Sequence, residues 1–151
     1  MKKRVSACFC VLLTLVFMLF SFAGCKDGET KQVILEKVTD TMVVMKVMEA
    51  DEDATALSAL NGLKEKGEIE FTSLSGVYGA YVTSINGKEE TSETTSGYSW
   101  MLYTSDAEFS STEFGAVECD GKTYGQASLG ASSLVVKEGE YYIWSYTYWS
   151  F

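Results

Sequence analysis

Asp51-Glu52-Asp53-Ala54-Thr55-Ala56-Leu57-Ser58-Ala59-Leu60-Asn61-Gly62-Leu63-Lys64-Glu65-Lys66-Gly67 is the stretch on which the fold turns. Leu57, Leu60 and Leu63, with Ala56 and Ala59, recur at the spacing of one helix face. Asp51 or Asp53 suits the N-cap, and the acids suit the positive end of the helix dipole. Gly67 suits the C-terminal stop. The acidic triplet reads as a helix cap and not as a calcium site, because no ligand-loop spacing follows it. No other stretch after residue 24 has this period.

On either side the pattern changes to that of strands. Thr41-Met42-Val43-Val44-Met45-Lys46-Val47-Met48 is Val-rich and short, which suits a strand buried on much of both faces. Residues 33–38 suit a further strand before it. After the helix, strands are expected at 69–74, at 78–85, at 98–103 and at 141–149. Asn86-Gly87 is a turn dipeptide that ends the second of these. Residues 88–97 are rich in Glu, Thr and Ser and read as a solvated loop. Residues of about 104–130 are rich in Gly, Ser and Glu and read as a long insertion. One helix among several strands predicts an α+β domain, with the helix packed on one face of a mixed or mostly antiparallel sheet.

The start of the chain is of a different kind. Lys2, Lys3 and Arg4 precede an uncharged apolar run from Val5 to Ala23, and the run ends in Ala23-Gly24-Cys25. A basic start, an apolar run and small residues before a break are the marks of an export signal. Ala23-Gly24-Cys25 resembles a bacterial lipobox, with Phe22 where Leu is usual. The lipobox implies cleavage after residue 24 and a diacylglycerol on Cys25, placing the protein on the outer side of the cell membrane. The competing reading is an uncleaved anchor, since such a run is just long enough to span a bilayer. Residues 1–24 are therefore read as a lipoprotein signal, 25–32 as the lipidated Cys and a polar tether, and 33–151 as the working domain.

Composition then narrows the function. The whole chain carries −9; without its first 24 residues it keeps 9 lysines against 21 acids, a net charge of −12, with no Arg and no His. Such a chain has no basic stripe for nucleic acid. The absence of His removes His-based triads and the usual zinc sites. Cys8 and Cys10 lie in the signal and Cys25 in the lipobox, which leaves Cys119 alone and no disulfide framework. Glu118 and Asp120 flank Cys119 and argue against a reactive thiolate. No metal spacing, phosphate loop or nucleophile–base motif is present, so an enzyme is not expected.

Every Tyr and Trp lies from Tyr78 onward. On the last strand Tyr142, Trp144, Tyr146 and Tyr148 alternate onto one face, and Tyr141, Ile143, Ser145, Thr147 and Trp149 onto the other. A sheet covered by one helix buries only one face well, so part of this aromatic surface is expected to stay open. Tyr78, Tyr81, Trp100, Tyr103, Tyr124 and Trp144 are the candidate ligand contacts, near the strand ends and the insertion. The competing reading is that Trp100 and Trp144 are core and that the tyrosines are ordinary strand formers.

Three phrases carry a family resemblance. They are Gly76-Val77-Tyr78-Gly79-Ala80-Tyr81-Val82-Thr83-Ser84-Ile85-Asn86-Gly87, Ser96-Gly97-Tyr98-Ser99-Trp100-Met101-Leu102-Tyr103, and Gly130-Ala131-Ser132-Ser133-Leu134-Val135-Val136-Lys137-Glu138-Gly139-Glu140-Tyr141-Tyr142-Ile143-Trp144-Ser145-Tyr146. Together, across roughly residues 40–148, the chain resembles bacterial domains similar to the C-terminal domain of transcobalamin. The resemblance implies a β-grasp-like fold, residence on exported lipoproteins and a small, corrinoid-like ligand such as cobalamin. Where that family has Asn-Gly after the Trp strand, this chain reads Thr104-Ser105-Asp106; its Gly-Asp before the last strand is Gly139-Glu140 here. Two functions follow as expectations. One is a membrane-tethered module that binds a small ligand without catalysis. The other is a cell-surface module that contacts a protein partner or wall polysaccharide through exposed aromatic residues.

Overall fold

Val43, Val44, Met45 and Val47 are all buried, because their strand has neighbours on both sides and cover on both faces. It is β2 (Met42–Ala50) of a computed structural model that describes residues 28–151. The expected signal, lipobox and lipidated Cys25 lie outside the described residues. The other elements are β1 (Thr30–Val38), α1 (Ala56–Glu65), β3 (Phe71–Gly76), β4 (Gly79–Ile85), β5 (Lys88–Glu89), β6 (Thr91–Ser92), β7 (Ser96–Thr104), β8 (Ser110–Cys119), β9 (Lys122–Ala127) and β10 (Tyr141–Ser150). Among the described residues no helix is long and apolar enough to cross a membrane.

The main sheet runs β1-β2-β10-β7-β9-β8, with β6 also on β7, and β3-β4-β5 form a second, smaller sheet. Every strand pair is antiparallel. The C-terminal strand thus lies in the middle of the main sheet, between β2 and β7. That position explains why Tyr142, Ile143, Trp144 and Ser145 are buried in succession. One face packs Val43, Met45, Trp100, Leu102, Tyr142 and Trp144 under α1, the small sheet and residues 131–136. The other face gathers Val44, Tyr103, Cys119, Tyr124 and Ile143.

The expected α+β, β-grasp-like domain with a helix-covered sheet is overturned. Among the described residues there is one helix, of 10 residues, and the fold is dominated by antiparallel sheet. Two segments make the difference. Residues 104–130 hold β8 and β9, which extend the main sheet and carry Cys119 and Tyr124 to its second face. Residues 71–89 build the small sheet, whose Phe71, Val82 and Ile85 join the core beside the helix. The helix therefore covers one part of one face, and strands and a short loop cover the rest. Residues 88–97, expected as loop, also hold β5 and β6.

The helix is set by its own chemistry. Ala56, Ala59, Leu60 and Leu63 are its buried stripe, as the spacing requires. Its N-cap is Thr55 and not Asp51 or Asp53. The Thr55 Oγ1 accepts from the Ser58 N–H at 3.2 Å, and the Ser58 Oγ accepts from the Thr55 N–H at 2.8 Å. This reciprocal pair satisfies two backbone donors at once. Asp51 instead accepts from the Glu29 N–H and pairs with Lys31 at 3.0 Å. Thr55→Ala is expected to cost about 1 kcal/mol in urea unfolding. Asp53→Ala should stay within about 0.5 kcal/mol of the parent; equal losses would place the cap wrongly.

Candidate functional site

The second edge of β7 has a gap. β6 pairs with its start, at Ser92↔Gly97 and Thr91↔Tyr98. β9 pairs with its end, at Tyr103↔Gln126 and Thr104↔Gly125. Between them Ser99, Trp100, Met101 and Leu102 face no strand on that side. β4 and the loop after β9 lie across the gap and leave a cleft of about 240 Å3. Tyr81, Trp100, Leu102, Leu129 and Trp144 supply its larger apolar walls. Gly130 and Ala131 let the loop approach closely: a Cβ on Gly130 would stand 2.9 Å from the Tyr78 carbonyl oxygen.

The polar groups of the cleft are fixed unequally. The Trp100 indole N–H donates to the Lys88 carbonyl at 2.8 Å. The Tyr81 hydroxyl donates to the Glu90 carboxylate, and lies 3.2 Å from the Ser99 Oγ. Burial first, and then the Glu90 hydrogen bond, raise the Tyr81 pKa above the ordinary tyrosine value. Trp144 is different. It is 3% exposed, yet its indole N–H has no hydrogen-bond partner among the described residues. A buried unpaired donor costs about 1–3 kcal/mol, and native structures pair nearly all of them. The cleft thus combines two indole rings and an open strand edge, and one of the rings carries a buried donor without an acceptor.

Other hollows lack this combination. One of about 480 Å3 is lined by Asp53, Thr55, Leu57, Ser58, Asn61 and Ser132, and one of about 460 Å3 lies between Val38–Asp40 and Ile85–Lys88. Neither contains a ring. A hollow of about 330 Å3 beside α1 includes Thr30, whose buried Oγ1 is also unpaired, but its walls are short polar and charged side chains. Among the described residues no group of three or more Cys, Asp or Glu is placed to hold a metal.

Of the six residues expected at a ligand site, Tyr81, Trp100 and Trp144 meet in this cleft. Tyr103 and Tyr124 belong to the cluster on the opposite face, where Tyr103 shares a hydrogen bond with Thr147 at 3.2 Å. Burial, followed by Cys119, raises the Tyr124 pKa. Tyr78 stands 92% exposed at the β3–β4 turn. Cys119 is buried and unbridged, and burial with the Asp120 hydrogen bond pushes its thiol pKa up. Sequence reasoning passes over Leu102 and the 126–131 loop. The small residues Gly130-Ala131, between two strands, are the one signal of a close approach there.

A second aromatic feature lies at the other end of β7 and β10. The Tyr98 ring stacks on Tyr146 at 5.2 Å and 8°, and meets Tyr148 edge-on at 5.2 Å. Tyr98 and Tyr148 are 43% and 55% exposed. The Lys88 ammonium sits 4.6 Å above Tyr146, whose hydroxyl donates to the Glu89 carbonyl at 2.8 Å. No family model, curated protein or solved structure matches the chain.

Proposed function

We propose that the protein is a module tethered to the outer side of the cell membrane through Cys25, which binds a small ligand in the β4–β7–β9 cleft and performs no catalysis on it. The unpaired Trp144 N–H, buried beside the cleft, carries this reading, because a ligand that parts the cleft walls would supply the acceptor that the protein itself does not. The indole rings of Trp100 and Trp144 favour a flat apolar portion next to that acceptor. A corrinoid, the class the sequence resemblance implies, has amide side chains that offer such carbonyl oxygens. At about 240 Å3 the cleft would grip one edge of so large a molecule and would not enclose it.

The test is titration of the mature acylated chain in detergent with several cobalamins, followed by the visible spectrum and by the melting temperature. Trp144→Phe keeps a ring and removes the donor. It should weaken binding by roughly tenfold, the worth of one hydrogen bond to a neutral group. It should leave the melting temperature of the free protein unchanged or slightly higher, since an unpaired donor is gone. Unchanged affinity in that variant overturns the site. The alternative, a surface module that contacts wall polysaccharide or a protein, is favoured by the exposed Tyr98–Tyr146–Tyr148 stack. It prevails if no cobalamin is bound while isolated cell wall retains the chain through Tyr98 and Tyr148.

A further inference from the structure

The β3–β4 turn is an exposed apolar prong. Val77 and Tyr78 are 95% and 92% exposed, and Leu129, which precedes the Gly130 packed on the Tyr78 carbonyl, is partly exposed beside them. Turn tips in solvated loops are ordinarily polar. Two large apolar side chains at such a tip mark a contact surface.

Its place in the fold says what it contacts. The first described residues are held against the β2–α1 turn: the Asp51 N–H donates to the Glu29 carbonyl at 3.0 Å, and Gly28 packs on Asp53. Residues 54–57 bond in turn to 131–136, through Ala56 N–H to Leu134 O and Leu57 N–H to Ala131 O, both at 2.9 Å. Ser132 in that segment accepts the Ala80 N–H at 2.9 Å and fills the space beside Gly79. Gly28 and the Val77–Tyr78 tip are therefore at the same end of the molecule, linked by one short chain of contacts. The opposite end, where β1 and β4 finish, holds the β1–β2 turn, with Val38–Asp40 facing Ile85–Lys88 across a hollow.

Gly28 follows Cys25 by three positions, a reach of at most about 11 Å. A lipid on Cys25 would hold this end of the domain at the bilayer surface. We infer that Val77 and Tyr78 are a second membrane contact, dipping into the headgroup layer beside the lipid anchor. The inference rests on the tether proposed above. Tyr is favoured at that depth, with its ring in the apolar boundary and its hydroxyl in the headgroups. Asp51, Glu52 and Asp53 share this end and keep the rest of it in water. Two contacts fix an orientation where a single anchor point would not. The cleft begins at Ala80, so the prong also sets how its mouth is presented to the surface.

The experiment uses the full acylated chain in phosphatidylcholine vesicles. A Cys119→Ala background carries an environment-sensitive fluorophore on Val77→Cys or, at the far end, on Asp40→Cys. The expected result is a blue-shifted emission at 77, quenched by nitroxide-bearing lipids, and a water-like emission at 40. Adding Tyr78→Ser should reverse most of the shift at 77. Exposure at this position makes a folding defect an unsuitable explanation for that loss. If the chain floats with the vesicles but both labels stay water-like, the tether stands and the second contact is wrong. If the chain does not float, the tether fails and the contact falls with it. A blue shift without vesicles that vanishes on dilution would assign the tip to a second copy of the chain and overturn the membrane reading.

Discussion

Trp100→Ala is expected to cost about 3–5 kcal/mol, enough to unfold most molecules of an ordinary small domain at physiological temperature. Trp100 is 2% exposed on β7, the strand that joins the two halves of the main sheet. Its ring packs within the core and lies 5.4 Å from Tyr146. Its N–H holds the Lys88 carbonyl at 2.8 Å and so pins β5 to the main sheet. Alanine removes the packed ring and leaves that carbonyl to find water. Loss of binding in this variant would therefore say nothing about contact with a ligand. Trp100→Phe is the informative partner, because it keeps most of the apolar volume. It is expected to cost about 1–3 kcal/mol in urea unfolding and to retain binding to the cleft. A stable, fully folded Trp100→Ala protein would show that the ring is not part of the core.

How much of this was legible in the sequence differs from element to element, for physical reasons. The helix shows because its stripe repeats with a period only a helix can satisfy, and β2 because an uninterrupted apolar run needs cover on both faces. β8 and β9 do not show. β8 reads Ser110 to Cys119 with Cys119 its one buried side chain, and an edge strand with one wet face has no core pattern to reveal it. The signal that was present is local. Asp120-Gly121 adopts φ values of 50° and 75°, the same arrangement as Asn86-Gly87 at 48° and 79°. Both dipeptides turn tight hairpins, and the first was hidden by the polar sequence around it. The candidate site was legible in residue type only. Alternation on β10 puts Trp144 in line with Tyr142 and Tyr146, but no local pattern tells that β6 and β9 leave part of β7 bare between them. Pairing across distant strands makes the cleft. For the same reason Tyr103 and Tyr124, which sit near strand ends in the sequence, end up on the opposite face.

The buried tyrosines also make the fold sensitive to alkali. Tyr142 lies fully buried in the central strand, where its hydroxyl accepts the Lys137 N–H at 2.8 Å. Burial raises its pKa above 10.0, the ordinary tyrosine value, as it does for Tyr81 and Tyr124, and burial raises the Cys119 thiol above 9.0. Lys137 is raised as well, by hydrogen bonds to Asp106 and Glu108. In each case the folded protein holds its proton more tightly than the unfolded chain does. The stability these groups contribute is fully present below their unfolded pKa values and is lost as pH rises through the folded ones. Unfolding free energy is therefore expected to be level near pH 8 and to fall steeply between about pH 9 and pH 11, where the unfolded chain gives up protons first. Tyrosinate absorbance should rise late and together with loss of the sheet signal, because Tyr142 ionises only when the sheet opens. Tyr142→Phe separates the contributions. It leaves the Lys137 N–H unpaired and so costs about 1–3 kcal/mol at neutral pH, yet it should flatten part of the alkaline decline. Stability that stays level or rises across this range would mean that the central strand is wetter than its packing requires.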